Sequence, residues 1–240
     1  VEPWFRLAVM IIVPLMAVLF RKDFRGLDAL PKTGGCIVAV NHISYADPFA
    51  VALFVYRAGR RPRFMAKHTL FTLPLAGRIV RGARQIPVYR NTADAGDALR
   101  AAVAAVNAGE CVVIYPEATV TKDPDLWPMA AKTGVARLAL MTGAPVIALG
   151  QWGAHEFLGK DKKPKPFPRK LIRMRARRVD LSQYAGAEPT AEVLRAMTGR
   201  VMAEVAAIVG EIRDETPPAT PYVPPRRLAA VDDDQKRRSA

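Results

Sequence analysis

The sequence predicts an α/β fold: a single layered domain with a mostly parallel central sheet flanked by helices, plus an N-terminal membrane-associating helix. Three observations carry this. Short apolar, β-branched runs alternate with longer helical patterns, the order that builds strand–helix–strand units. The 240 residues are 50% hydrophobic, enough for one sizeable core. An apolar stretch, LAVMIIVPLMAVLF at 7–20, precedes the first alternation.

The elements follow in order. That apolar stretch is flanked by Trp4 and Phe5 on one side and Arg21 and Lys22 on the other. A full membrane span needs about 20 apolar residues. This run is shorter, carries Arg6 near its start and holds Pro14 inside. No small-residue cleavage site follows, so a removed signal peptide is not expected. An interfacial or half-inserted helix is expected, with an aromatic anchor at one end and basic residues at the other; an ordinary buried helix is the alternative.

GGCIVAV (34–40) reads as a buried strand. PFAVALFVYRAG (48–59) opens on a proline, which suits a first helical turn, and stops at Gly59. RPRFMAK (61–67) is a second strand, and 68–83 a short helix followed by a glycine-punctuated loop. RQIPVYR (84–90) is a third strand, with Pro87 placing it at an edge or an end. Residues 92–109 are Ala-rich and helical, between a Thr92 cap and Gly109.

ECVVIYP (110–116) is a buried strand, 117–130 a polar loop, 130–144 a helix and PVIALGQW (145–152) another strand. DKKPKPFPRK (161–170) is a basic, proline-rich loop expected to be mobile. In 170–180, Ile172, Met174 and Ala176 share one face and Arg173, Arg175 and Arg177 the other. That arginine face suits contact with anionic headgroups, or a charged strand edge. Leu194, Met197, Val201, Val205, Ile208 and Ile212 recur at helical spacing in 190–213. From Thr216 the chain is proline-rich, then highly charged, as a disordered tail would be.

Lys and Arg total 36 against 22 Asp and Glu, a formal charge of +14. Such a surface calls for an anionic partner: nucleic acid, an anionic membrane or a phosphorylated small molecule. No recognition-helix, zinc or RNA-binding signature is present, and aromatics do not interleave with the basic stretches. Nucleic acid is therefore not the expected partner. Cys36 and Cys111 both sit in apolar runs and read as small buried core residues in a reducing compartment. No metal-ligand spacing occurs.

The stretch most informative for chemistry is Asn41-His42-Ile43-Ser44-Tyr45-Ala46-Asp47-Pro48. It joins a buried strand to a helix, a corner where α/β enzymes place reactive side chains. A histidine there can serve as general base near neutral pH. A carboxylate a turn later can bond the other ring nitrogen and stabilise the imidazolium. Asp before Pro is also a common helix cap, so the spacing alone leaves both roles open.

Read with Tyr115-Pro116-Glu117-Ala118-Thr119, the sequence resembles the glycerolipid acyltransferase family, which includes 1-acylglycerol-3-phosphate acyltransferases. NHISYAD matches that family's NHxSxxD block at every fixed position. YPEATVTKD stands where its proline-glutamate-glycine-threonine block stands. Residues 65–90 and 144–153 resemble two further blocks, in family order, so the resemblance spans roughly residues 30–155.

The resemblance implies that His42 takes the proton of the acceptor hydroxyl and that Asp47 orients it. The hydroxyl then attacks the acyl thioester directly, with no acyl-enzyme. Asn41 and Ser44 belong to the same block and count with the substrate-binding residues. Glu117 and Thr119 would shape the acceptor site, Lys67 would reach the acceptor phosphate and Arg90 would assist. Two departures bear on the acceptor. Ala118 replaces a usual glycine, and Val120 replaces a common phosphate-binding arginine, for which Lys122 or Lys132 would substitute.

The expected organisation is a membrane-associating segment over 1–24, an acyltransferase domain over 25–215 and a disordered tail over 216–240. The expected activity is transfer of a fatty acyl group from acyl-CoA or acyl-carrier protein to 1-acylglycerol 3-phosphate. The thioester is a co-substrate, and neither a bound cofactor nor a metal is expected. An anionic membrane at the cytoplasmic face, held peripherally or monotopically, is the expected location. Three readings stay open beside this one: the same chemistry on glycerol 3-phosphate, another lysophospholipid or a glycolipid; an inactive membrane-binding relative; and a nucleic-acid binder.

Overall fold

A computed structural model describes residues 3–89 and 95–225 of the chain. The N-terminal helix α1 (Pro3–Leu19) leads directly into β1 (Phe20–Arg25). Then come β2 (Cys36–Val40), α2 (Asp47–Arg57), β3 (Pro62–Lys67), α3 (Pro74–Gly82), β4 (Ile86–Val88) and α4 (Ala95–Asn107). The second half holds β5 (Cys111–Ile114), α5 (Gly134–Thr142), β6 (Val146–Trp152), the single turn α6 (Ala154–Phe157), β7 (Lys170–Arg178) and α7 (Ala191–Arg213).

The strands form one seven-stranded sheet in the order β1-β7-β6-β2-β5-β3-β4. Every neighbouring pair is parallel except β6 and β7. The mostly parallel, helix-flanked sheet expected from the sequence is therefore the fold. Both sheet faces are covered, which is why the central strands read as unbroken apolar runs. In β2, Ile37 and Ala39 join the core beneath α4, α5 and α7, while Cys36, Val38 and Val40 join the core beneath α1 and α2. Cys36 and Cys111 are register partners on β2 and β5, both buried and both free thiols. Pro87 lies in the edge strand β4, where a missing N–H is tolerated.

β1 was not expected. Its sequence, FRKDFR, hides an edge strand behind four charged residues, and only Phe20 is fully buried. Charged edges of this kind resist unwanted pairing. The boundary drawn at residue 24 thus falls inside a strand of the sheet. β7, by contrast, is not an edge: it lies between β1 and β6, and α7 packs over its arginine face. Arg177 pairs with Glu204 and Glu211 of α7, and Arg175 donates to the Glu211 carbonyl at 3.3 Å. Those arginines serve the packing of α7 rather than a free headgroup-binding face.

The α7 helix buries all six residues expected from its periodicity, and the Thr190 hydroxyl caps it by accepting from the Val193 N–H. After α7 the chain returns to the body at Tyr222 and Pro224. The Tyr222 carbonyl accepts from the Ala130 N–H at 3.0 Å, and Pro224 is buried. The charged stretch 226–240 lies outside the described residues, as do Arg90 and Thr92. The basic loop before β7 is tied down by a Lys165 N–H to Phe157 carbonyl bond of 2.7 Å and by Arg169, which donates to the Ala17 and Phe20 carbonyls.

Among the described residues, no helix is long and apolar enough to cross a membrane. The inner side of α1 buries Met16 and packs Ile12 and Val13 on the core. Its outer side leaves Met10, Ile11, Leu15 and Val18 between 47% and 72% exposed.

Candidate active site

β2 sits at the middle of the sheet and delivers Asn41 and His42 to its carboxyl edge. The chain then leaves toward β3 on one side while β6 flanks the other, a switch point of the kind that opens a crevice in α/β sheets. His42 Nδ1 lies 2.8 Å from Asp47 Oδ2. The same oxygen accepts the backbone N–H groups of Ile43 at 2.7 Å and Ser44 at 2.8 Å. The five-residue spacing makes this possible, because the intervening turn brings its own amides back onto the carboxylate that opens α2.

An ionised Asp47 accepting from Nδ1 assigns the proton to that nitrogen and leaves the Nε2 lone pair for a substrate. The His42 side chain keeps 16% exposure, whereas that of Asp47 has none. Burial pushes the Asp47 carboxyl above the ordinary aspartate value, against the opposing pull of His42 and of the two backbone amides. Its folded value therefore lies above the unfolded one. The stability it contributes is full below the ordinary aspartate range and is lost as pH rises through the raised folded value. Melting temperature measured against pH should show that decline in the wild type and a flatter profile in Asp47→Asn.

The other face of the imidazole rests on Tyr115, with ring centroids 4.3 Å apart, and Tyr115 in turn stacks toward Phe64 at 6.4 Å. Burial, helped by the nearby Asp47 charge, pushes the Tyr115 phenol well above its ordinary value, so it stays neutral. The His42 ring thus lies against an apolar wall.

Glu117 follows β5 and is fully buried. Its Oε1 accepts the His42 backbone N–H at 2.9 Å and its Oε2 the Met129 N–H at 3.0 Å. The Thr121 N–H donates to the His42 carbonyl at 2.7 Å. Both peptide groups of His42 are therefore held by the loop after β5. Asn41 is also buried; its side chain exchanges bonds with the Gln151 backbone at 3.1 and 2.9 Å, and Gln151 Nε2 donates to the Asn41 carbonyl at 2.8 Å. Ser44 Oγ donates to the Leu158 carbonyl at 2.7 Å and accepts from the Ala46 N–H at 3.0 Å. Asn41, Ser44 and Glu117, which the resemblance counts with the substrate-binding residues, are buried here with backbone partners that hold the turn around His42.

Ala118 has φ of 63°, left-handed backbone in the turn closed by its N–H to the Tyr115 carbonyl at 2.9 Å. A Cβ makes this conformation cost about 1 kcal/mol or more. Ala118→Gly should therefore raise unfolding free energy by roughly 0.5–1 kcal/mol in urea denaturation, after the extra chain entropy of glycine is offset. A loss of stability would show that the Ala118 methyl packs instead.

The structure gathers His42, Asp47, Asn41, Ser44 and Glu117 into one hydrogen-bonded cluster. Thr119 is half-buried in the same turn. Lys67 ends β3, Lys122 lies in the loop after β5, and Lys132 follows that loop; all three are exposed. Three further residues join the site's surroundings. Gln151 is a lone polar residue in an apolar strand, a signal that a buried partner exists. Tyr115 was read only as part of the second motif, and nothing in the sequence marks its stacking on His42. Arg213 stacks between Trp127 and Trp152, 4.1 and 4.4 Å from their centroids, and donates to the Asp125 carbonyl at 2.7 Å. It ties the loop after β5 to the end of α7, and Trp127 is accordingly buried.

The fold and this cluster define an α/β chain with a histidine–carboxylate pair at the carboxyl edge of its central strand. The chain belongs to the Acyltransferase family, whose model matches residues 21–152. It is similar to the chloroplastic 1-acyl-sn-glycerol-3-phosphate acyltransferase BAT2 of Brassica napus, at 27% identity over 141 residues, 58% of this chain and 39% of that one. A 1-acyl-sn-glycerol-3-phosphate acyltransferase of Neisseria gonorrhoeae is 30% identical over 125 residues, 52% of this chain and 46% of that one. These matches thus span less than half the length of either relative. Among solved structures, the 1-acyl-sn-glycerophosphate acyltransferase PlsC of Thermotoga maritima shares the fold with a TM-score of 0.66 and 22% identity, over 89% of this chain and 81% of that one.

Proposed function

We infer that the chain moves a fatty acyl group from an acyl thioester to the free hydroxyl of 1-acylglycerol 3-phosphate, giving phosphatidic acid. The observation that carries this is the His42–Asp47 pair, with Nδ1 committed to a buried carboxylate while the His42 side chain itself stays partly exposed. Nε2 removes the hydroxyl proton as the oxygen attacks the thioester carbonyl. The tetrahedral adduct then expels the thiolate, which recovers the proton from the imidazolium. Asp47 holds the ring and balances its transient charge.

Asn41, Ser44 and Glu117 keep the dyad in place. Thr119 lies beside it, and Lys67, Lys122 and Lys132 supply cations for the acceptor phosphate. Domain roles follow: α1 associates with the membrane, and the sheet and its helices carry the transfer. The outward apolar face of α1 and the net charge support peripheral or monotopic attachment at the anionic, cytoplasmic face of the cell membrane.

An acceptor panel tests the substrate. Lysophosphatidate, glycerol 3-phosphate and a neutral lysophospholipid are offered with palmitoyl-CoA or with acyl-carrier protein. Consumption of lysophosphatidate ahead of the others supports the reading. Preference for another acceptor would keep the chemistry and move the phosphate site away from the lysines around Ala118 and Val120.

A further inference from the structure

The opposite end of the sheet carries a polar pocket of about 260 Å³. It opens at the amino-terminal ends of β3 and β5, while the dyad sits at the carboxyl edge. The four residues of β5 put roughly 13 Å between the two levels. Lys32, Arg60, Arg61, Arg63 and Arg84 line the pocket, against Glu110. Arg63 and Arg84 both face that carboxylate, at 2.8 and 3.6 Å. The other three cations meet neutral partners. Arg60 donates to the Pro31, Gly34 and Gly109 carbonyls at 2.5, 2.6 and 2.8 Å, Lys32 to the Ala58 carbonyl at 3.3 Å, and Arg61 lies 5.6 Å over the Phe5 ring. Carbonyls satisfy hydrogen bonds without cancelling charge. The pocket therefore holds an excess of positive charge on a partly preorganised base, the arrangement that takes a phosphate.

What adjoins it names the kind of phosphate. Phe5, Pro62 and Ala83 also line an apolar groove of about 190 Å³ between α1, α2 and α3. Phe5 additionally packs its ring against Tyr56, at 6.3 Å. Beyond the groove, α1 turns Met10, Ile11, Leu15 and Val18 outward. A cationic pocket, an aromatic rim and a continuous apolar surface match, in that order, the headgroup, interface and chains of a lipid.

We propose that the pocket formed by Lys32, Arg60 and Arg61 beside the amino end of α1 binds the phosphate of an acidic phospholipid of the bilayer, distinct from the lipid consumed at the dyad. It gives α1 a fixed anchor on an anionic surface. The inference rests on the reading of α1 as membrane-associating.

The test is partition of the intact protein onto phosphatidylcholine vesicles with and without phosphatidylglycerol. Wild type is compared with Lys32→Ala/Arg61→Ala and with Arg137→Ala/Arg195→Ala. The second pair removes the same charge from α5 and α7, on the opposite sheet face. All four residues are exposed or lie at the pocket rim, away from the dyad. Phosphatidylglycerol should strengthen wild-type binding, and the Lys32/Arg61 variant should lose about thirtyfold of it, as two cations near an anionic surface would contribute. The control pair should keep it. Equal losses in both variants would mean diffuse attraction and overturn the site. Wild-type binding that ignores phosphatidylglycerol would overturn the site while leaving α1 as the anchor. No binding to either vesicle would overturn the membrane reading itself. Binding of inorganic phosphate that leaves vesicle binding unchanged would make this a soluble-anion site and overturn the lipid assignment.

Discussion

Glu117→Ala should lower unfolding free energy by roughly 3–5 kcal/mol, since two buried amides lose their acceptor and each such loss costs about 1–3 kcal/mol. The amides are those of His42 and Met129, 75 and 12 residues away in sequence. Glu117 is thus the clasp that closes the loop after β5 onto His42. Glu117→Gln should also be destabilised, because its NH₂ must face one of two N–H donors. Urea unfolding measures both. A loss in Glu117→Ala under about 1 kcal/mol would show that the loop holds His42 without the carboxylate, below the range expected for even one unpaired amide.

Asp47→Asn should reduce turnover by about 10²–10⁴ with little change in KM, the range expected when a positioned base loses its support. The geometry says how. One oxygen, Oδ2, accepts all three bonds, from His42 Nδ1 and from the Ile43 and Ser44 amides. An asparagine can place its carbonyl there and keep the ring where it is. It cannot balance the imidazolium that forms when Nε2 takes the proton. The loss should therefore appear in kcat alone. A rise in KM with unchanged kcat would make Asp47 a binding residue. Asp47→Ala should also lose stability, because it strands the two amides.

How much of this was legible in the sequence depends on distance along the chain. The dyad was legible because its partners are five residues apart and the turn between them closes locally. The strands of the sheet centre were legible because burial on both faces makes them continuous apolar runs. The resemblance pointed to Glu117 as a functional residue, but its role was not visible there. A carboxylate after a strand shows nothing of the two amides it holds until those amides are placed. The Asn41–Gln151 lock joins positions 110 apart, and no periodicity reports such a pair. β1 was hidden because its charges serve an exposed edge, and the arginines of β7 misled because their partners, Glu204 and Glu211, lie on a helix that comes later. Ala118 was noticed as a departure from glycine. The structure supplies the reason it matters: the turn holds that residue in left-handed backbone.

The most direct test of the central claim is thiol release from palmitoyl-CoA, with and without 1-acylglycerol 3-phosphate, for wild type and His42→Ala side by side. The account predicts release that requires the lysophosphatidate and falls by about 10²–10⁴ in the variant, while circular dichroism shows the fold unchanged. Equal acceptor-dependent release by both proteins would contradict His42 as the base, and no acceptor-dependent release by wild type would contradict the transferase reading as a whole.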